Sequence, residues 1–354
     1  MRGLYLHIPF CLSKCEYCDF NSYAGKLGLA NEYISALLSE AAAYKGSAAD
    51  TVYIGGGTPT ALPREELCRL VTGLKEIFFL PEGREFTVEM NPRTANTQYL
   101  EELRRLGVNR ISLGAQSFNG ELLKTLGRLH GEEDIKAAVE MCREAGFENV
   151  SLDLMFSLPG QSMETWKETL EKAVNCGVEH ISCYGLKIEE GTPFYQKGVQ
   201  PLEDLLDREM YHYAIDFLEK NGYMQYEISN FAKPGFKSLH NLKYWHCQEY
   251  YGLGAGAHGY ISGVRTSNVK PVEEYIRQVA ETGGAREEAV TLTKADMRVE
   301  RIIMGMRLTE GIPAEYIKQP ERYIKGGYME KIGNNIRFTV AGFDVSNAIL
   351  AELI

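Results

Sequence analysis

Six short runs rich in β-branched and apolar residues recur through the first two thirds of this chain: GLYLHI, DTVYIGG, EFTVEMNP, RISLGAQS, NVSLDLMF and HISCYGLKI. Between them stand EYISALLSEAAAY, REELCRLVTGLKEIF, NTQYLEELRRLG, DIKAAVEMCREAG and METWKETLEKAVNCG, with apolar residues near the helical period and glycine closing several. Such alternation restricts the fold to parallel strands joined by crossover helices, either a doubly wound sheet or a full or partial barrel. In both, ligand chemistry gathers at the carboxyl ends of the strands. Polar residues stand there: a cysteine loop after the first run and Gly55-Gly56-Gly57-Thr58-Pro59 after the second. Glu89 and Asn91 follow at the third, Gln116 and Ser117 at the fourth, and Asp153 lies inside the apolar fifth. One such residue is commonly a cap or a satisfied buried group, but a full rim of them points to a site.

At 354 residues the chain exceeds most single compact domains. The pattern changes near residue 232, so a core unit is expected over 1–232 and a smaller mixed α+β unit over 233–354. The first stretch beyond, KPGFKSLHNLKYWHCQEYYGLGAGAHGYISG, reads as a linker or a second functional surface. ADMRVERIIMGMRL and PAEYIKQ then read as helical, YMEKIGNNIRFTV as a hairpin and VSNAILAELI as a terminal helix. A formal net charge of −10 argues against nucleic acid as the main partner, since phosphate binding rests on clustered Lys and Arg. No apolar run is long enough for a transmembrane segment, and MRGLYLHIPF lacks the apolar stretch of a secretory signal, so the expected compartment is the cytoplasm.

Eight cysteines in such a chain read as metal or redox chemistry rather than a disulfide framework. Cys68, Cys142, Cys176, Cys183 and Cys247 are scattered and read as small buried hydrophobes. The others stand in IPFCLSKCEYCDF, where Cys11, Cys15 and Cys18 can converge from one loop on one metal centre. Zinc would need a further ligand such as His7 and more often uses paired knuckles. Three thiolates suit an iron–sulfur cluster better, with one iron left open to a small molecule.

HIPFCLSKCEYCDF resembles the CxxxCxxC cluster loop of the radical S-adenosylmethionine (SAM) superfamily. The resemblance implies a partial parallel (βα)6 TIM-like barrel, in keeping with the six runs, and a [4Fe-4S] cluster held by Cys11, Cys15 and Cys18. In that superfamily the open iron chelates SAM, and electron transfer cleaves it to a 5'-deoxyadenosyl radical. Gly56, Gly57 and Thr58 are then implied to lie against the amino end of the methionyl group, with Glu89, Gln116, Arg128 and Asp153 contacting SAM. Tyr5 and Tyr17 are implied to lie near the cluster and the adenine. The chemistry agrees, because carboxylates accept from ribose hydroxyls and an amino group while Arg pairs with a carboxylate. Taken alone, the glycine run is a weak turn signal and Arg128 reads as a solvated helix residue.

Along nearly the whole chain, YLHIPFC, GGGTPT, VEMNP, ISLGAQSF, LGRLH and DLMFSLPGQ resemble the oxygen-independent coproporphyrinogen III dehydrogenase family, which implies tetrapyrrole ligands. Two departures stand out. Phe20 occupies the place of a further cysteine in the dehydrogenases, and only four residues precede Tyr5 where those enzymes carry a longer extension. This pattern is similar to that of the HemW-type heme chaperones, and His240-Asn241-Leu242-Lys243-Tyr244-Trp245 fits their HNxxYW motif, associated with heme binding. His240 would offer an iron-binding imidazole, and Tyr244 and Trp245 flat apolar faces for a macrocycle. His246, Cys247 and His258 lie close enough in sequence to compete as axial ligand. The expected function is therefore heme chaperoning rather than catalysis. Heme would pass to an acceptor such as a respiratory heme protein, with flavodoxin or ferredoxin as electron donor. The alternative is radical oxidative decarboxylation of coproporphyrinogen III. A third, radical modification of RNA or a peptide, finds no appended RNA-binding domain here.

Overall fold

The computed structural model describes residues 1–354. The six runs form β1 (Arg2–Ile8), β2 (Ala49–Gly56), β3 (Glu85–Met90), β4 (Arg110–Gln116), β5 (Val150–Phe156) and β6 (His180–Gly185). These pair in sequence order and all in parallel. The crossovers are α1 (Ala30–Ala42), α2 (Arg64–Ile77), α3 (Thr97–Leu106), α4 (Glu132–Glu144) and α5 (Met163–Asn175). Strands β4 and β5 are buried along nearly their whole length, as strands covered on both faces must be. Helix α2 buries Leu67, Leu70, Val71 and Leu74 along one stripe, and each such side chain contributes about 2 kcal/mol relative to exposure. Local chemistry sets the ends. The Asn96 side chain accepts from the Tyr99 amide at 2.9 Å to open α3, and Gly107 closes it with a φ of 103°.

The sheet continues on both sides of this core. Past α6 (Asp204–Lys220), strands β7 (Met224–Glu227) and β8 (Asn230–Ala232) extend it antiparallel beyond β6. After α7 (Leu239–Trp245), β9 (Tyr250–Leu253) runs parallel to β1, with Gly3 opposite Tyr250 and Leu6 opposite Leu253. Beyond β9 come β10 (His258–Ile261), β11 (Val264–Asn268) and, past α8 (Val272–Thr282), β12 (Arg286–Thr291), all antiparallel to their neighbours. One open sheet of 12 strands results, with β12 and β7 at its edges. The stretch read as a linker is therefore partly sheet, and the expected boundary between 232 and 233 falls within the sheet rather than beside it. Local pattern hid this because YYGL is short and contains glycine, and its partner β1 lies at the other end of the chain.

Glu40 on α1 braces this arrangement from inside the core. Its carboxylate accepts from the Gly254 amide at 2.9 Å, Asn268 Nδ2 at 2.7 Å and the Tyr275 hydroxyl at 2.6 Å. The remaining chain contributes α9 (Lys294–Gly305), a small sheet of β13 (Ile312–Pro313), β14 (Met329–Ile332) and β15 (Asn335–Phe338), and α10 (Ser346–Leu353). PAEYIKQ does not form the expected helix. Only Ala314–Tyr316 make one tight turn before Ile317 becomes extended, and Pro320 disfavours helical geometry in the residue before it. No helix is long and apolar enough to cross a membrane.

Candidate functional site

The loop after β1 carries all three motif thiols. Phe10–Cys11 forms a two-residue strand parallel to Tyr23–Ala24, which folds the loop back on itself. Cys11 is buried, Cys15 and Cys18 are half-buried, and all three line one cavity of about 430 Å³. Three thiols on one cavity wall fit the loop expected to hold an iron–sulfur cluster. His7 does not complete a zinc site, because its Nδ1 meets the Tyr5 hydroxyl at 2.9 Å and its Nε2 lies 2.8 Å from the Asn21 carbonyl oxygen. Burial pushes the Cys11 and Cys18 thiols up, opposed by hydroxyls of Thr58 (3.6 Å from Cys11 Sγ) and Ser22 (3.7 Å from Cys18 Sγ). Arg128 donates to Cys15 Sγ at 3.4 Å.

The glycine run ending β2 packs its backbone against this loop. The Gly57 amide donates to the Ile8 carbonyl at 2.9 Å, and the Thr58 amide to that of Phe10 at 2.8 Å. A Cβ on Gly57 would stand 2.6 Å from the Phe10 carbonyl oxygen, and one on Gly56, at φ 116°, 2.6 Å from the His7 ring. Glu89 turns toward the run. Its Oε2 accepts from the Gly56 amide at 2.9 Å and its Oε1 from the Tyr53 hydroxyl at 2.8 Å. Burial pushes its pKa up to about 7.

Three further polar residues complete the rim. Asp153, opposite Gly114, accepts from Ser182 Oγ at 2.8 Å and Ser112 Oγ at 3.0 Å on the two flanking strands, and burial raises its pKa. Arg128 Nη2 donates to Asn91 Oδ1 at 2.5 Å and the Gly114 carbonyl at 2.6 Å, so its side chain ties two strand ends to the cysteine loop. Gln116 follows a register shift in β4 and holds φ at 64°, a strain of about 1–2 kcal/mol for a residue with a Cβ. Both Gln116 and Tyr17 line the cavity. The cavity thus sets three thiols beside carboxyls, Glu89 and Asp153 among them, and the Arg128 guanidinium, a surface suited to a ligand carrying both charges.

Asn241, Tyr244 and Trp245 of the HNxxYW hexapeptide line a second cavity of about 510 Å³, which Asn241 shares with the cysteine cavity, whereas His240 lines neither. His240 is fully buried: Nδ1 lies 2.9 Å from Thr51 Oγ1, Nε2 lies 2.8 Å from the Tyr244 hydroxyl, and the ring stacks on Tyr53 with centroids 5.3 Å apart. Burial pushes its pKa down to about 3, so the ring is neutral, with one nitrogen donating and the other accepting. Its lone pair is already used. Tyr5 also lies outside the cysteine cavity, on a third cavity shared with His7, Tyr244, Tyr250 and His258. His246 points elsewhere, with Nε2 3.4 Å from Glu310. Cys247 lines the second cavity and, like Cys176, is half-buried rather than buried as expected.

Sequence reasoning missed Tyr53, Arg110, Ser112 and Ser182, all on the cysteine cavity. Arg110 is 2% exposed and its Nε has no partner. An Arg opening a strand reads as a surface end, and only the fold places it beneath the rim. Strand alternation was a usable signal for Ser112, which shares a face with Arg110 and Gly114.

The family model of the Radical SAM superfamily matches residues 5–173. The heme chaperone HemW of Bacillus subtilis (strain 168) is 42% identical over 323 residues, covering 88% of this chain and 85% of that protein. The heme chaperone HemW of Lactococcus lactis subsp. lactis (strain IL1403) is 37% identical over 371 residues, covering 100% and 97%. Among solved structures, coproporphyrinogen III oxidase (HemN) from Escherichia coli, a radical SAM enzyme, matches with a TM-score of 0.86 at 25% identity, over 99% of this chain and 89% of that one.

Proposed function

Because this chain belongs to the radical SAM superfamily and to its family of HemW heme chaperones, we infer that it binds heme and delivers it to an acceptor protein. The likeness to curated heme chaperones along the entire chain, small sheet included, carries this conclusion. The protein carries a [4Fe-4S] cluster and SAM as cofactors.

The residues of the cysteine cavity fit both cofactors. Cys11, Cys15 and Cys18 would hold the cluster, a role supported by their shared wall. When bound, the cluster supplies one-electron chemistry to SAM. Gly56 and Gly57 lack the Cβ atoms that would bar close backbone approach, and Thr58 anchors the turn next to Cys11. Glu89 and Asp153 offer carboxyl acceptors for hydroxyls or an ammonium, and Arg128 brings positive charge for a carboxylate. Gln116 and Tyr17 add to the walls. Tyr5 would act from below, through its stacking on Tyr53 at 6.2 Å, rather than by touching SAM.

The finer assignments are a respiratory heme protein as acceptor, flavodoxin or ferredoxin as electron donor, and the cytoplasm as the place of action. All eight cysteines are free, which suits a reducing compartment.

Heme titration of anaerobically reconstituted protein, followed by mixing with an apo heme protein, tests the function. A saturable visible spectrum that moves to the acceptor is expected. Absence of heme binding at low micromolar concentration would overturn the chaperone assignment, as would turnover of coproporphyrinogen III to protoporphyrinogen IX with SAM and reductant.

A further inference from the structure

We propose that Arg110 is a positioning residue of the cysteine cavity: its guanidinium, buried beneath the rim without a partner, is the counter-charge that holds Asp153 as an ionised acceptor for SAM. This rests on the reading of Asp153 as a SAM contact and says what supports a charged carboxylate in that wall.

Arg110 opens β4 and by strand alternation shares its inward face with Ser112 and Gly114, all three lining the cavity. Gly114 is the register partner of Asp153, and Ser112 Oγ donates to the Asp153 carboxylate at 3.0 Å. On the opposite side Ser112 is paired with Glu89. Arg110 thus stands one inward position below the residue that lies between the two carboxyls.

The cations of this wall differ in what they are bound to. Arg128 gives its donors to Asn91, the Gly114 carbonyl and Cys15 Sγ, and Lys187 pairs with Glu189 at 2.5 Å. Arg110 takes part in no ion pair, and its Nε is buried without a partner. A guanidinium keeps its proton, so a fixed charge stands in the wall, and leaving it unpaired costs stability.

Other groups near it are already engaged. Glu85, on the same face of β3 as Glu89, accepts from the Leu239 and His240 amides at 2.8 Å each. The Tyr53 hydroxyl is given to Glu89, and His180 and His240 are held neutral by burial, with the Arg110 charge adding to that. Asp153 has only the neutral hydroxyls of Ser112 and Ser182 as donors. Two carboxyls in one cavity oppose each other's ionisation. Burial raises the pKa of both, and the Arg110 charge acts against that rise at each.

The test measures SAM affinity by equilibrium dialysis on cluster-loaded protein. Arg110→Gln should bind SAM about 10-fold more weakly than wild type while retaining the four-iron absorbance, and Arg110→Lys should recover part of the loss. Asp153→Asn should itself weaken SAM binding, and adding Arg110→Gln to it should change affinity by no more than about 2-fold, since the charge then has no carboxylate to hold. That last comparison stands even if Arg110→Gln alone fails to fold, because the double variant lacks both charges. Wild-type affinity in Arg110→Gln, a further 10-fold loss in the double variant, or a Lys variant no better than Gln would overturn the role of Arg110 and leave Asp153 a SAM contact. Wild-type affinity in Asp153→Asn would overturn that contact and this role with it.

Discussion

The imidazole of His240 and the phenol of Tyr244 are hydrogen-bonded, with Nε2 2.8 Å from the hydroxyl, while Nδ1 of the same ring meets Thr51. The histidine of the hexapeptide thus acts as a strut beneath β2, aiming Tyr244 at the neighbouring cavity.

Replacing His240 with Ala leaves a void and strips Thr51 and Tyr244 of a partner, at a cost of about 2–4 kcal/mol. Urea unfolding should show that loss, and heme affinity should fall with the lost aim of Tyr244. At saturating heme the Soret maximum of His240→Ala should match the wild type. A displaced maximum would make His240 the iron ligand.

The same ring predicts an acid sensitivity. Burial pushes its pKa down to about 3 in the folded chain from an ordinary 6.5, so above pH 6.5 both folded and unfolded chains hold it mostly neutral. Below that, the unfolded chain takes up a proton that the folded chain refuses, and stability falls by about 1.4 kcal/mol per pH unit until the folded pKa is reached. Between about pH 7.5 and 5.5, His240→Gln should lose about 1 kcal/mol less than wild type in urea midpoints. Parallel pH profiles for the two proteins would contradict the buried neutral ring.

Glu89→Gln keeps the size of a side chain bonded to Gly56 and Tyr53 but removes its charge. SAM affinity, measured by equilibrium dialysis on cluster-loaded protein, should weaken about 10-fold. The four-iron absorbance should persist. Unchanged SAM affinity would remove Glu89 from the cofactor site.

Cys11→Ser, Cys15→Ser and Cys18→Ser should each abolish the four-iron absorbance after reconstitution, because the three thiols share one wall. Cys142→Ser and Cys183→Ser, deep in the core, should leave it intact. Equal iron loss in the core variants would contradict the assignment.

Glu40→Ala removes the acceptor shared by Gly254, Asn268 and Tyr275 and should destabilise the fold by about 2–4 kcal/mol in urea. Glu40→Gln, which can still accept, should cost less. If both variants unfold at the wild-type midpoint, the brace between α1 and the late strands contributes nothing.

The chain's local patterns determined the β1–β6 core, its five crossover helices and the cysteine loop at the carboxyl end of β1. Periodicity reports which face of an element is buried, and short spacing reports which thiols can meet, because both are properties of neighbouring residues. The same patterns placed Glu89, Gln116 and Asp153 together, since the ends of parallel strands share one rim, whereas Arg128 was implied by the family resemblance alone.

Only the tertiary structure decided that β9 lies beside β1, that Arg110 sits beneath the rim, and that His240 is a strut while Tyr244 and Trp245 face a cavity. Strand partnership, and which donor satisfies a buried ring nitrogen, depend on groups remote in the chain, so no local spacing encodes them. The hexapeptide is one contiguous motif, but its helical turn sets Asn241, Tyr244 and Trp245 on a cavity wall and buries His240, and packing there settles which of them a ligand can reach.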